Sequence, residues 1–207
     1  MQPIVNIFKL EVAEAELEEF FRIGKTNFTQ SIVQEEGTLA MYLAEDAREQ
    51  DFYVIEVYRD RMAYQEHIES AHFADFVAFS QEFIPKKERI ALIPQVLLEK
   101  ERLIEEDLSK LSMRLTVVHI KESMERLFKN ELFEAMQARE SGVLYAGHVA
   151  DSPNTWYIMH IFRIGYSLIA PFLENKAYLE EIGRRELSPI AFVNKGNVVY
   201  SVIEKEL

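Results

Sequence analysis

The sequence predicts an α+β protein made by internal duplication, each half running β-α-β-β-α-β. Three observations carry that prediction: like segments recur in one order at nearly one offset, each half mixes helical with extended apolar spacing, and a charged stretch separates the halves. Gly37 and Gly142 lie 142 − 37 = 105 residues apart, each opening an apolar stretch that contains a tyrosine, Thr38–Tyr42 and Val143–Ala146. Asp51–Arg59 matches Thr155–Arg163 at an offset of 155 − 51 = 104, and Leu97–Glu101 matches Val202–Glu206 at 202 − 97 = 105. Self-similarity at a fixed period is the signature of a repeated structural unit.

The elements follow in order. Residues 4–10 read as a buried strand. From Ala13 to Gln34, Leu17, Phe20, Phe21, Gly24, Phe28 and Ile32 recur at three- and four-residue spacing and form one apolar helical stripe, with Glu14 and Glu16 at the positive end of its dipole. Gly37 ends that helical region. Residues 38–45 and 52–58 pair antiparallel around the polar turn Asp46–Asp51. Residues 61–84 are helical in two pieces, and 90–98 return as a strand. In the second half a strand at 114–120 precedes a helix striped by Met124, Leu127, Phe128, Leu132, Ala135 and Met136. Strands at 143–150 and 155–162 turn at Ser152-Pro153-Asn154. A helical region at 167–186 precedes a last strand at 190–204, broken by Asn194-Lys195-Gly196-Asn197. The organisation is therefore a first repeat over 1–98, a charged linker over 99–112 on which Leu103, Ile104, Leu108 and Leu111 rest against the body, and a second repeat over 113–207.

Composition removes several function classes. Lys plus Arg number 23 against 35 Asp plus Glu, a formal charge of −12 that repels phosphate backbones and anionic membrane surfaces. Nucleic acid and membrane are excluded as partners on that ground. The absence of cysteine rules out disulfides, thiolate metal sites and a cysteine nucleophile. The start lacks the basic and long apolar regions of a signal peptide, and no apolar run approaches the ~18 residues of a membrane span, so a cytoplasmic location is expected.

A β-α-β-β-α-β unit is the ferredoxin-like split βαβ. Its helices cover one sheet face and leave the other apolar and bare, a deficit two such sheets remove by packing face to face. With both units on one chain, the expected result is an intramolecular α+β barrel, a pseudo-dimer in which further self-association stays open. The sequence resembles the antibiotic biosynthesis monooxygenase (ABM) family. The resemblance lies in Glu35-Glu36-Gly37 with its following strand, in Phe52–Tyr58 (FYVIEVY), and in His67 through Ala71-His72-Phe73-Ala74-Asp75-Phe76. It covers most of residues 4–98. Residues 114–206 keep Gly142, Trp156, Tyr157 and Arg163 and little else of the pattern. The resemblance implies a dimeric α+β barrel fold. The family includes cofactor-free monooxygenases of quinols and polycyclic phenols, haem-degrading enzymes and an isomerase of a phosphorylated autoinducer.

Cofactor-free oxygenation needs a dry aromatic pocket, a base near neutral pKa and donors to hold a phenolate, because the deprotonated substrate itself reduces dioxygen. The expected partners are a small aromatic or quinol ligand and dioxygen, with no cofactor. His67 and His72 are the candidate catalytic bases, with Ser70 capping a second helical piece that places His72 in its first turn. The bland alternative is a packing histidine at each position. A metal held by the pair is not expected: on one continuous helix five residues rotate the second side chain by about 140° from the first. Both could converge only if the helix broke between them. Haem is disfavoured because the family's tryptophan and ligand histidine fall here on His67 and Val77. Substrate-binding candidates are Asn6 on the first strand, Tyr42, Tyr58, Phe76, and Glu56. Glu56 interrupts an apolar strand, and the resemblance implies a structural hydrogen bond as the alternative to a pocket role. In the second half the offset puts Phe172 and Ala177 where His67 and His72 stand, so chemistry is expected in the first half; the alternative is a second site around Tyr145, His148 or His160. A non-catalytic ligand-binding or stress-related protein on the same fold is the competing reading. So is an isomerase of the autoinducer-processing type, which would need Arg59, Arg61 or Lys86 at the pocket mouth.

Overall fold

A computed structural model describes residues 2–100, 102–103, 105–138, 142–164, 179–196 and 198–204. The chain divides into two units, and two long strands contribute to both. The first unit comprises Met1–Ala91, Leu103–Leu108 and Ser188–Lys195. The second comprises Leu92–Arg102, Ser109–Leu187 and Gly196–Leu207. All the strand pairings with a defined register are antiparallel, and four α-helices occur among the described residues, so the class is α+β.

In the first unit β1 (Ile4–Glu11) pairs with β3 (Asp51–Tyr58), which pairs with β2 (Thr38–Asp46). The outer partner of β2 is the end of β8 (Leu179–Asn194), from Ser188 to Asn194. Pro189 cannot donate to that ladder, and the register shifts beside it, between Leu43 and Ala44. Strand β3 is buried along its whole length, in keeping with its nearly unbroken apolar run. Asn6, Glu56 and Met41 stand side by side on one sheet face, the face that also carries Phe8, Val54, Leu43 and Tyr58.

Three helices cover that face. Helix α1 (Leu17–Gln34) turns Phe20, Gly24, Asn27, Phe28 and Ser31 inward, a three- and four-residue spacing that keeps them on one stripe. Helices α2 (Arg61–Ile68) and α3 (Ala71–Phe83) are separate pieces, each with its own N-cap. Asp60 accepts from the Ala63 N–H at 3.0 Å, and Ser70 from the Phe73 N–H at 3.2 Å. Phe20 anchors the core between them, meeting Phe52 edge-on at 5.4 Å and Phe79 at 6.4 Å. Strand β4 (Lys86–Glu99) then leaves the first unit and enters the second after Ala91.

The second unit orders its strands as β8, β5 (Leu111–Ile120), β7 (Ser152–Arg163), β6 (Val143–Val149), β4 and β9 (Val199–Ser201). Helix α4 (Glu125–Gln137) packs Phe128, Leu132 and Met136 onto this sheet, Phe128 edge-on to Trp156 at 5.0 Å. The expected turn at Ser152-Pro153-Asn154 lies two residues earlier, at Ala150-Asp151, so that Val149 faces Ser152. The helical expectation for 167–186 is corrected over 179–186, which are strand, while 167–178 lie outside the described residues. Glu180, Glu181, Arg184, Arg185 and Glu186 favour helix locally, but Gly183 does not, and the edge of β5 requires a partner. Pairing from Met113–Leu187 to Ile120–Leu179 wins over local propensity. Strand β8 ends at Asn194, and Gly196 turns the chain at φ +70, a left-handed conformation natural to glycine. In the charged stretch, Leu103 and Leu111 are buried and Leu108 is half-buried; Ile104 lies outside the described residues.

Candidate functional site

Two polar features lie beneath the helices of the first unit. The first forms where α1 ends. Glu35 follows the helix in extended conformation, its backbone N–H still donating to Ser31 O at 3.0 Å. The break between α2 and α3 brings His67 and His72 to this carboxylate. His72 Nε2 lies 2.7 Å from Glu35 Oε1, and His67 Nδ1 lies 3.1 and 3.2 Å from Oε1 and Oε2. Thr38 Oγ1 donates to Oε2. Ser31 Oγ sits 3.3 Å from His67 Nδ1 and 3.1 Å from His72 Nε2 while bonded to Asn27 O at 2.7 Å. The serine hydrogen is spent on Asn27 O, so Ser31 Oγ accepts from the imidazoles and both histidines present N–H groups to Glu35. Lys195 Nζ closes the surrounding loop through the carbonyls of Glu35, at 3.2 Å, and Glu36, at 2.5 Å. Burial pushes the Glu35 carboxyl up, but the bonds from His67 and Thr38 and the nearby imidazoles outweigh it and hold the group below the usual carboxylate range.

The second feature is a cavity of about 190 Å³ between β1, β3 and α3. Phe8, Val54, Phe73 and Phe76 give it apolar walls, Glu56 supplies its acidic group, and Ser80, Gln81 and Lys87 form its remaining polar side. Glu56 accepts from Tyr58 Oη–H at 2.9 Å. Burial drives its carboxyl above the ordinary value; the charge of His67, the bond from Tyr58, Asn6 and the charge of Arg89 draw it only part of the way back. Tyr58 in turn is pushed well above the ordinary phenol range by burial and by Glu56 beside it. Arg89 donates to Asn6 Oδ1 through Nε at 3.1 Å and Nη2 at 3.0 Å, with its guanidinium over the Tyr64 ring. The His67 ring stands between the two features, 5.3 Å from Tyr58 and 4.7 Å from Phe73, centroid to centroid.

The residues singled out from sequence divide accordingly. Glu56 and Phe76 line the cavity; Asn6 and Tyr58 flank Glu56 from behind the wall. His67 and His72 lie in the Glu35 cluster and do not line the cavity. Tyr42 is fully buried on the opposite sheet face, beside Ile55 and 6.4 Å from Phe192. Sequence reasoning used Glu35 only as a motif letter and did not select Ser31. Their signal was present: Asn27 and Ser31 are polar residues in phase with the apolar stripe of α1. The cavity residues Phe73, Val77 and Ser80 share one face of α3, another pattern that three- and four-residue spacing carries.

In the second unit Tyr145 donates to Glu99, whose other oxygen accepts the Gly196 N–H at 3.0 Å. His148 packs on Trp156 at 5.6 Å, and His160 is buried in β7. Phe172 and Ala177 lie outside the described residues. Among the described residues no helix is long and apolar enough to cross a membrane.

Fold and site together define an antiparallel α+β protein whose N-terminal unit encloses an apolar cavity with a buried acid in its wall. Residues 3–78 match the family model for antibiotic biosynthesis monooxygenases. A proposed monooxygenase from Lactobacillus acidophilus NCFM superposes with a TM-score of 0.84 at 25% identity, over 97% of this chain and 100% of that one. A second, from Fusobacterium nucleatum subsp. nucleatum, gives a TM-score of 0.87 at 20% identity, over 97% and 98% of the two chains, and shares the fold. An anthrone oxidase-like protein shares it more distantly, with a TM-score of 0.57 at 8% identity over 95% of each chain. A comparison with curated proteins gives no match.

Proposed function

We propose that the N-terminal unit is a cofactor-independent monooxygenase for a small phenol or quinol bound in the Glu56 cavity. The observation that carries the reading is a buried carboxyl, raised above its ordinary value, in the wall of a mostly apolar and aromatic cavity whose other polar members are Ser80, Gln81 and Lys87. A cavity of about 190 Å³ is below the roughly 300 Å³ at which drug-sized pockets begin, which suits an occupant of about one or two rings. Glu56 accepts the phenolic proton, a task for which a raised carboxyl is the better base, and Tyr58 holds the carboxyl in place. The phenolate reduces dioxygen by one electron, and the radical pair closes to a peroxide at a ring carbon bearing hydrogen. Loss of water across the O–O bond leaves a quinone. The balance is one phenol and one dioxygen to one quinone and one water, with no external reductant. His67 lies behind Glu56, and in this reading the histidines act on the base rather than on the substrate. The pseudo-dimeric barrel that the family resemblance implies is part of the same proposal.

The isomerase reading asks for free cations at the pocket mouth. Arg59 is engaged by Glu36 and Asp60, Lys86 by Glu11, and Lys87, which lines the cavity, by Ser80, which favours the oxygenase. The experiment is dioxygen uptake with a panel of hydroquinones, naphthols and anthrones, without added cofactor. Turnover should fall by about 10² or more in Glu56→Gln. Binding without uptake across the panel would leave a ligand-binding protein, and equal rates in Glu56→Gln would remove the carboxyl from the mechanism.

A further inference from the structure

We propose that Glu35, His67 and His72 form a binding site for a divalent first-row transition metal, separate from the Glu56 cavity. On one continuous helix the five-residue spacing of His67 and His72 turns their side chains about 140° apart, which tells against a shared metal. The break at Glu69-Ser70 removes that objection. His67 sits in the last turn of α2 and His72 in the first turn of α3, and both turn toward one carboxylate. The three residues are buried, and their ligand atoms lie within 4.8 Å of one another.

The spacing suits a metal. Bonds of about 2.0–2.2 Å to nitrogen and oxygen place neighbouring ligand atoms about 2.8–3.6 Å apart, the lower end at right angles and the upper end in a tetrahedron. Glu35 Oε1 is 3.1 Å from His67 Nδ1 and 2.7 Å from His72 Nε2, and the two histidine nitrogens lie within 4.8 Å of each other, close enough for side-chain adjustment to seat an ion. Two imidazoles and one carboxylate select zinc, cobalt or ferrous iron over calcium or magnesium. Surrounding bonds already fix the ligands: Thr38 holds Oε2, and Ser31 Oγ stands beside both ring nitrogens, where it or a water completes the coordination. On binding, each imidazole gives its inner lone pair to the metal and carries its proton on the other ring nitrogen. An entry path exists, because His72 also lines a surface groove of about 360 Å³ between α1 and α3, rimmed by Asp75 and Glu82.

The test uses the full chain stripped with chelator and titrated with Co²⁺ or Zn²⁺ by calorimetry and visible absorption. One equivalent should bind per chain, and X-ray absorption of the zinc-loaded wild type should show two imidazoles with oxygen in the remaining positions. Glu35→Gln and His72→Gln, each checked for folding by circular dichroism, should weaken binding tenfold or more. Less than a tenth of an equivalent bound by wild type, an imidazole count other than two, or undiminished affinity in the folded variants would overturn the proposal. The wild-type absorption experiment decides the matter even if neither variant folds. None of these readouts depends on turnover, so the metal site and the oxygenase reading stand or fall separately.

Discussion

Replacing Gly37 by alanine should destabilise the first unit, and the structure gives the size of the effect. The Gly37 backbone is not in the left-handed region, so conformational freedom is not the reason for glycine there. Contact is. An added Cβ would lie 2.2 Å from the Cβ of Ala63 and 3.2 Å from its Cα. Carbon atoms settle at about 3.5–4.0 Å, so the shortfall is about 1.3 Å, between two atoms fixed directly to backbone. Relief requires α2 to shift, against its Asp60 cap and the Arg59 N–H bond to Gly37 O at 2.8 Å. Overpacking of this kind costs about 1–3 kcal/mol, and the upper end is expected here because no flexible side chain can yield. For a chain of this length that is a fall in Tm of roughly 6–12 °C. Ala63→Gly alone should cost about 1 kcal/mol as a glycine in a helix. In the double variant the Cβ–Cβ clash disappears, leaving about 1 kcal/mol of cost where additivity would give about 4, so the cycle should show about 3 kcal/mol of favourable coupling. Urea unfolding should be followed by far-ultraviolet circular dichroism, since the only tryptophan, Trp156, reports on the second unit. A Gly37→Ala variant within about 0.5 kcal/mol of wild type, or strictly additive effects, would refute the close-approach argument.

Two further outcomes are expected. Glu56 has its folded pKa raised above the ordinary value of 4.5, so its ionisation opposes folding: the cost is absent below that value and complete above the folded one. Glu56→Gln should therefore gain stability relative to wild type as pH rises from about 4 to about 8, and a gap that stays constant in denaturation curves across that range would contradict the raised carboxyl. Ser70→Ala removes the acceptor for the Phe73 N–H and should cost about 1 kcal/mol, largely restored in Ser70→Asp; equal melting temperatures for wild type and Ser70→Ala would show that the cap does not hold α3.

The elements readable from sequence were those where local and tertiary preferences agree. The α1 stripe, the split of 61–84 at Ser70 and the β2–β3 hairpin are all of this kind. Residues 179–186 were misread because their charged residues favour helix while the open edge of β5, many positions away, decides the matter. The site was legible in part. Glu56 stands out as a carboxylate in an apolar strand, and Asn6 proves to be its cross-strand neighbour. The meeting of His67 and His72 on Glu35 was not legible, because it depends on the angle between α2 and α3. Tyr42 shows another limit: in a strand apolar on both faces, alternation does not say which face holds the cavity.

The exchange of β4 and β8 between the units has a consequence for synthesis. The hydrogen-bonding edge of β2 at Ala40 meets its partner at Asn194, 194 − 40 = 154 residues later. At roughly 5–20 residues per second, ribosomes leave that apolar edge unpaired for about 8–30 s. An open edge of this kind invites pairing with another nascent chain. The N-terminal half expressed by itself would keep the opening permanently, whereas a fragment of residues 1–98 supplied with a peptide spanning 188–194 could close it. For this protein, the order in which ribosomes deliver segments and the order in which its sheets are completed are different, and the interval between them is where chaperones have work to do.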